Sequence, residues 1–307
     1  QSHGWMLYLL PVAGLVIVAL YRLDPYKSDT NRVLEGIQSG TYVPLRMSPL
    51  IIISTVLTHA FGGSAGREGA ALQLGGSLGG TIGKWLKLDE YDQKVMIMCG
   101  MSAAFSALFG TPLTATIFAM EVVSIGIMEY AALVPCAIAS LIAREMADLV
   151  GARAEQFPVP ASVALDIKSG ALIVLLALLC AAVSILFCEV LHRTERLFKS
   201  RMKNPWIRVV VGALLVIVLA KVLGTTDYLG AGMNIVERAI HGETEPAAFL
   251  LKIIFTAITL SCGFKGGEIV PTLFVGATFG CLFGQVTGLS PSLTAACGMA
   301  AVFCGVT

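Results

Sequence analysis

A carboxylate set inside an apolar, glycine-rich stretch is the first candidate for chemistry in this chain. Glu68 lies in GGSAGREGAALQLGGSLGG, residues 62–80. At membrane depth an ionised carboxylate is costly unless it is solvated, paired or functional. Gly69, Ala70, Ala71, Leu72 and Gln73 follow it and read as the opening of a helix. The free amides of a helix start carry about half a positive charge and attract anions. Glu68 is therefore expected to be a tethered anion facing an anion site. The same stretch contains the literal pattern GxSxG at Gly62 to Gly66, with His59 nearby. That pattern has meaning only on a strand-to-helix elbow. No strand-rich sequence surrounds Ser64, so a membrane-embedded serine hydrolase stays a remote alternative and the chain is not read as an enzyme.

The elements that must position Glu68 follow from composition. The 307 residues are 56% apolar and 13% charged, with a mean hydropathy of +0.81. Soluble domains carry about 25% charged residues, so this composition predicts an all-α polytopic membrane protein whose surroundings are the lipid bilayer. A net charge of +1 with no dense basic region excludes nucleic acid as a partner. The eight cysteines lack CxxC spacing and sit among apolar residues. They read as small buried hydrophobes, and neither a metal nor a cofactor is expected. Gln1 is not a start residue and Thr307 falls in an apolar run, which reads as a fragment.

Apolar stretches recur along the chain, several shorter than the ~20 residues that span a bilayer. Breaks are expected at Gly75-Gly76, Gly110-Thr111-Pro112, Gly263 to Gly267 and Pro271. Half-length helices persist in a membrane only where protein or a water-filled cavity covers their backbone groups. Between residues 192 and 208, Arg193, Arg196, Lys199, Arg201, Lys203 and Arg208 stand against Glu195 alone. This reads as a cytoplasmic loop.

Three blocks recur in order. Asn31, Val33 and Ile37 match Asn234, Val236 and Ile240; Gly63, Gly66 and Glu68 match Gly263, Gly266 and Glu268; CGMSAAFSALFG from Cys99 matches CGMAAVFCGVT from Cys297. They mark an internal duplication, with a first repeat at 1–150, a connection at 151–168 and a second repeat at 169–307, truncated at its C-terminal end. Counting spans from the basic segments puts the matching blocks on opposite sides, so the repeat is inverted. Paired, glycine-interrupted segments in two repeats point to a transporter with a midplane site. Asn31 and Asn234 suit helix caps.

GREGAALQLGGSLG at 66–79 and GFKGGEIVP at 263–271 resemble the GREGP and GxxGGxxxP blocks of the CLC family of chloride channels and anion/proton antiporters. The resemblance implies a CLC-type inverted repeat with broken and re-entrant helices, in a homodimer of the cell membrane, as in the bacterial inner membrane. It implies that Glu68 is a gating glutamate that competes with the anion and carries a proton. It also implies that Gly66, Arg67, Gly69 and Ala70 form the surrounding turn, and that Gly267, Glu268, Ile269 and Val270 border the anion from a second helix start. Thr30 and Asn31 fall in SDTNR, where the family carries GSGIP. The block GGEIVP replaces GGIFAP and brings in the carboxylate of Glu268. The inner proton glutamate of the chloride exchangers aligns near Leu149, where only Asp148 is close. These departures resemble the fluoride/proton antiporter branch of the family. The implied partners are fluoride and protons; a chloride channel or chloride/proton exchanger of the same fold is the alternative.

Overall fold

The computed structural model describes residues 4–23, 47–122, 128–152, 154, 157–159 and 166–306. Among them are twelve α-helices and no β-strand. A 3-10 turn, Gly4–Leu9, leads into α1 (Leu10–Leu23), followed by α2 (Met47–Ala60), α3 (Glu68–Trp85), α4 (Glu90–Phe109), α5 (Pro112–Glu121) and α6 (Leu133–Leu149). Then come α7 (Ile167–Arg201), α8 (Pro205–Leu223), α9 (Met233–Ile240), α10 (Ala248–Ser261), α11 (Ile269–Thr287) and α12 (Pro291–Val306). Five helical segments, at 5–22, 130–149, 167–201, 205–223 and 269–287, are long and apolar enough to cross a membrane.

Local chemistry sets several of these ends. Proline opens α5, α8 and α12, where its missing N–H costs nothing. Side-chain oxygens of Asp89, Asp166 and Asn204 accept the amides of Asp92, Ser169 and Trp206 at 2.8, 2.9 and 3.0 Å. The Asp166 carboxyl is exposed and held below its ordinary range by the Ser169 side chain and amide that bond to it. Gly110 closes α4 in the left-handed region, φ 67°, which turns the chain into Pro112.

The chain forms two compact units. One comprises Gln1–Ala19, Thr55–Arg67 and Phe157–Thr307; the other comprises Leu20–Ser54 and Glu68–Gln156. Within the first, Leu176, Cys180, Val183, Phe187 and Leu191 make one buried stripe along α7 at helical spacing. They meet Ile253 and Ala257 of α10, Val275 and Phe283 of α11, and Val302 of α12. The other faces of α7 are apolar and open, with Leu178 66% and Ile185 71% exposed. Lipid is as apolar as these side chains, so close packing rather than escape from water holds such helices together.

The closest packing is made by glycine. Gly75 and Gly76 do not interrupt their helix, contrary to the sequence reading: α3 is continuous from Glu68 to Trp85. A Cβ added at Gly75 would strike the carbonyl of Gly100, and one at Gly79 the carbonyl of Met96. In the other unit the same happens between Gly276 and Gly298, and between Gly280 and Thr294. The pairs α3–α4 and α11–α12 therefore share one construction, in which backbones approach because nothing projects between them.

Three further expectations are corrected. Pro271 sits in the first turn of α11 and breaks nothing. Most of the expected loop at 192–208 is helical, because α7 continues to Arg201. At ~1.5 Å per residue its 35 residues reach about 52 Å, well beyond a ~30 Å hydrocarbon core, so its exposed basic end lies past the apolar region. Asn234 is not a cap: the cap position of α9 is Gly232, and no side chain bonds there.

The glycine contacts give a measurable contrast. Gly100→Ala is expected to cost about 1–3 kcal/mol by overpacking, seen as a lower thermal-unfolding midpoint in detergent. Gly170→Ala, in an open helical position, is expected to hold or raise the midpoint by up to ~1 kcal/mol. Equal midpoints for the two variants would contradict this account of the α3–α4 interface.

Candidate functional site

The two sequence blocks singled out above end in the same local arrangement. Arg67 is followed by Glu68, the first residue of α3, and Glu268 is followed by Ile269, the first residue of α11. A helix start leaves up to four amides without acceptors inside the helix. At α11 the third residue is Pro271, so the donors nearest the tip are the amides of Ile269 and Val270. The first intrahelical bond runs from Thr272 N–H to the Glu268 carbonyl at 3.0 Å.

Just before these helices, Gly66 and Gly267 meet. Gly66 N–H donates to the Gly267 carbonyl at 2.7 Å, and Gly267 N–H donates to the Gly66 carbonyl at 2.6 Å. One-residue antiparallel pairing of this kind satisfies both turns at once. A Cβ at Gly266 would collide with that of Ala65, so the contact requires small residues on both segments. Gly263, which begins the second turn, has φ 113°, a conformation open in practice to glycine.

The first turn is also tied to α10. Ser64 N–H donates to Thr259 Oγ1 at 3.1 Å, and Ser64 Oγ lies 3.1 Å from Thr256 Oγ1. Thr259 in turn donates to the Phe255 carbonyl at 2.8 Å. All of these hydroxyls are buried. Ser64 thus hydrogen-bonds to a threonine, while His59 Nδ1 lies 3.0 Å from the Thr55 carbonyl. The seryl hydroxyl serves as a strut, and the hydrolase reading has no geometry behind it.

The carboxylates differ in setting. Glu68 is 2% exposed. Glu268 is exposed. It occupies the cap position of α11 with no side-chain capping bond, so it does not act as a helix cap. Arg67 is exposed, Gly66 and Ala70 are buried, and Gly69 is half-buried. Val270 is fully buried and Ile269 half-buried. Thr30 and Asn31 lie outside the described residues. Asp148, the one acid near the expected inner proton position, forms an ion pair with Arg144 at 3.0 Å on α6.

Sequence reasoning missed Lys252. It is wholly buried on α10, in register with Thr256 and Thr259, and its Nζ donates to the carbonyls of Gly230 at 2.7 Å and Tyr228 at 3.2 Å. The Tyr228 hydroxyl donates to Glu245 at 3.0 Å. Burial first, and the Glu245 carboxylate second, push that phenol up to about 12, so it remains a donor throughout the physiological range. The signal was available: Lys, Thr and Thr at helical spacing in the otherwise apolar AFLLKIIFTAITLS.

Apolar helices joined by glycine-rich turns, with no strand among the described residues, fit the architecture of a membrane transport protein of CLC type. The sequence matches the voltage gated chloride channel family over residues 12–307, and the chain belongs to that family. It is 33% identical to a chloride/fluoride channel protein of Pseudomonas syringae pv. tomato, in an alignment covering 99% of this chain and 70% of the relative. Among solved structures, a CLC-type fluoride/proton antiporter superposes with a TM-score of 0.92 at 34% identity, over 98% of this chain and 77% of that one. A slow cyanobacterial Cl-/H+ antiporter superposes with a TM-score of 0.76 at 19% identity, over 97% and 74%, and supports the fold alone. The chain is accordingly a multi-pass membrane protein and not an enzyme.

The strut between Ser64 and α10 gives a test of this geometry. Thr259→Val removes the acceptor of a buried amide and is expected to cost about 1–3 kcal/mol, read as a lower unfolding midpoint in detergent. An unaltered midpoint would mean that Ser64 does not depend on Thr259.

Proposed function

We propose that this protein exports fluoride in exchange for protons, with Glu68 as the gate that competes with the anion and carries the proton. The observation that carries the reading is the reciprocal bonding of Gly66 and Gly267, which ties the approach to Glu68 to the approach to α11. Likeness to the fluoride/proton antiporter supports fluoride as the substrate.

The chemistry follows from like charges sharing one place. An ionised Glu68 and a halide at the same helix starts repel, so each excludes the other. Protonation removes that repulsion, lets the side chain leave and admits the anion. Return of the carboxylate expels the anion and releases the proton. Fluoride is small and strongly hydrated, and calls for dense donors and polarised edges. The proposed set is Gly66, Arg67, Gly69, Ala70, Gly267, Glu268, Ile269 and Val270, with Thr30 and Asn31 contributing from the first repeat. On this reading residues 1–150 and 169–307 are the two repeats, and the protein works as a homodimer. A second reading, passive passage of chloride or fluoride, is favoured by the channel name of the Pseudomonas relative.

Glu68→Gln, reconstituted in liposomes, is expected to abolish proton movement coupled to fluoride efflux, and Glu268→Ala to slow fluoride turnover at least about tenfold. Coupled proton movement persisting in Glu68→Gln would end the gating proposal. Unchanged flux in Glu268→Ala would return that carboxylate to a structural role.

A further inference from the structure

The basic end of α7 has no part in the proposed exchange. Residues 192–208 carry Arg193, Arg196, Lys199, Arg201, Lys203 and Arg208, and they join α7 to α8, two helices long and apolar enough to cross a membrane. Acid compensates only part of this charge. Glu189 pairs with Arg193 and Glu195 with Lys199, each one turn apart along α7. Arg196, Arg201 and Lys203 are exposed, and no carboxylate among the described residues pairs with them. Solvation by water alone would account for exposed cations, but depth and the neighbouring apolar surface point to a ligand.

The depth follows from where charge stops on each helix. From Ser169 to Cys188 α7 is uncharged; at ~1.5 Å per residue this run is about 30 Å long, the thickness of the hydrocarbon core. The basic turns therefore lie outside the core. They do not reach far into water, because α8 is uncharged from Val209 to Ala220. Between Asn204, which caps α8, and Val209 the helix rises only about 7.5 Å, close to the depth of one headgroup layer.

The apolar surface runs on from the charge into the bilayer. Leu179, Leu186 and Leu197 are exposed and share one face of α7, and Arg201 stands one turn beyond Leu197 on that face. Ile207, Leu214 and Val218 form the same kind of open stripe on α8. Each stripe is greasy within the core and meets cations at its edge. That is the complement of an acyl chain with an anionic headgroup, and Arg side chains suit phosphate through paired N–H donors. A soluble acidic protein would match the charge but not the apolar stripe.

We propose that the junction of α7 and α8 is a docking surface for anionic phospholipid, with Arg196, Arg201 and Lys203 meeting the phosphate and an acyl chain lying along Leu179 and Leu186. Another face of α7 packs on α10, α11 and α12, so lipid held here braces the helix that supports them. The inference does not depend on which ion the protein moves.

Trp206 sits at the junction and reports on it. In a Trp5→Phe, Trp85→Phe background it is the sole tryptophan, and bromine-labelled phosphatidylglycerol or phosphatidylcholine, diluted equally into unlabelled phosphatidylcholine, competes to quench it. Phosphatidylglycerol is expected to be preferred about fivefold. Replacing Arg196, Arg201 and Lys203 together by Gln is expected to bring the preference to within about twofold of none. Salt at about 1 M, where the Debye length is ~3 Å, is expected to weaken it in the unsubstituted junction as well. Equal quenching by the two lipids, or a preference that survives in the triple variant, overturns the proposal. Loss of the preference on adding a short polyglutamate peptide at ordinary salt would assign the surface to an acidic protein and overturn it too. If the background does not fold, mass spectrometry of wild-type protein equilibrated with equal amounts of both lipids decides, and retention without an excess of phosphatidylglycerol overturns the proposal.

Discussion

Two glycines about 200 positions apart exchange both of their backbone hydrogen bonds, and the rest of the candidate site depends on that exchange. The segments 62–67 and 263–268 are turns rather than helices: the amides of Gly62, Gly63 and Gly263 bond back to the ends of α2 and α10, while those of Gly66 and Gly267 bond across from one segment to the other. Such groups cannot be left bare in an apolar region. Gly66 and Gly267 satisfy one another at 2.7 and 2.6 Å. The contact fixes the second helix start relative to the chain that enters the first, and it leaves no room for a side chain where Gly266 meets Ala65. Ser64 extends it into α10 through Thr256 and Thr259, so the turns are pinned from a third element as well.

Packing obeys the same economy of small residues. In lipid an apolar side chain gains little by facing another helix, so association relies on close contact. Gly75 with Gly100, and Gly276 with Gly298, bring backbones together where any larger residue would hold them apart. The exposed leucines and isoleucines of α7 are consistent with this: they are numerous, and they face outwards.

The chemically distinctive residues were legible in the sequence because a carboxylate in an apolar run has few ordinary explanations. Glu68 and Glu268 stand at helix starts, as the glycines before them suggested. The breaks at Gly110 to Pro112 and at Gly263 to Gly267 were legible for the same local reason. Gly75-Gly76 misled, because glycine marks both turns and close approaches, and only the neighbouring helix distinguishes them. Pro271 misled because proline in a first turn starts a helix as readily as it stops one. The run from Arg193 to Arg201 was read by charge, which reports the side of the membrane and says nothing about helicity. Lys252 escaped notice because a lone lysine in an apolar stretch is ordinarily placed at a surface; its burial is decided by the loop at 228–230, far off in sequence.

On the proposed reading, a side-chain carboxylate and an anion that cannot occupy one place together make transport an exchange and not a leak. The most direct measurement sets a proton gradient across liposomes containing the wild-type protein, with equal fluoride on both sides and the membrane potential clamped at zero. Obligate exchange predicts that fluoride accumulates on the acidic side, against its own gradient, until the two gradients balance. Fluoride that stays at equal concentration while the proton gradient persists would contradict the account.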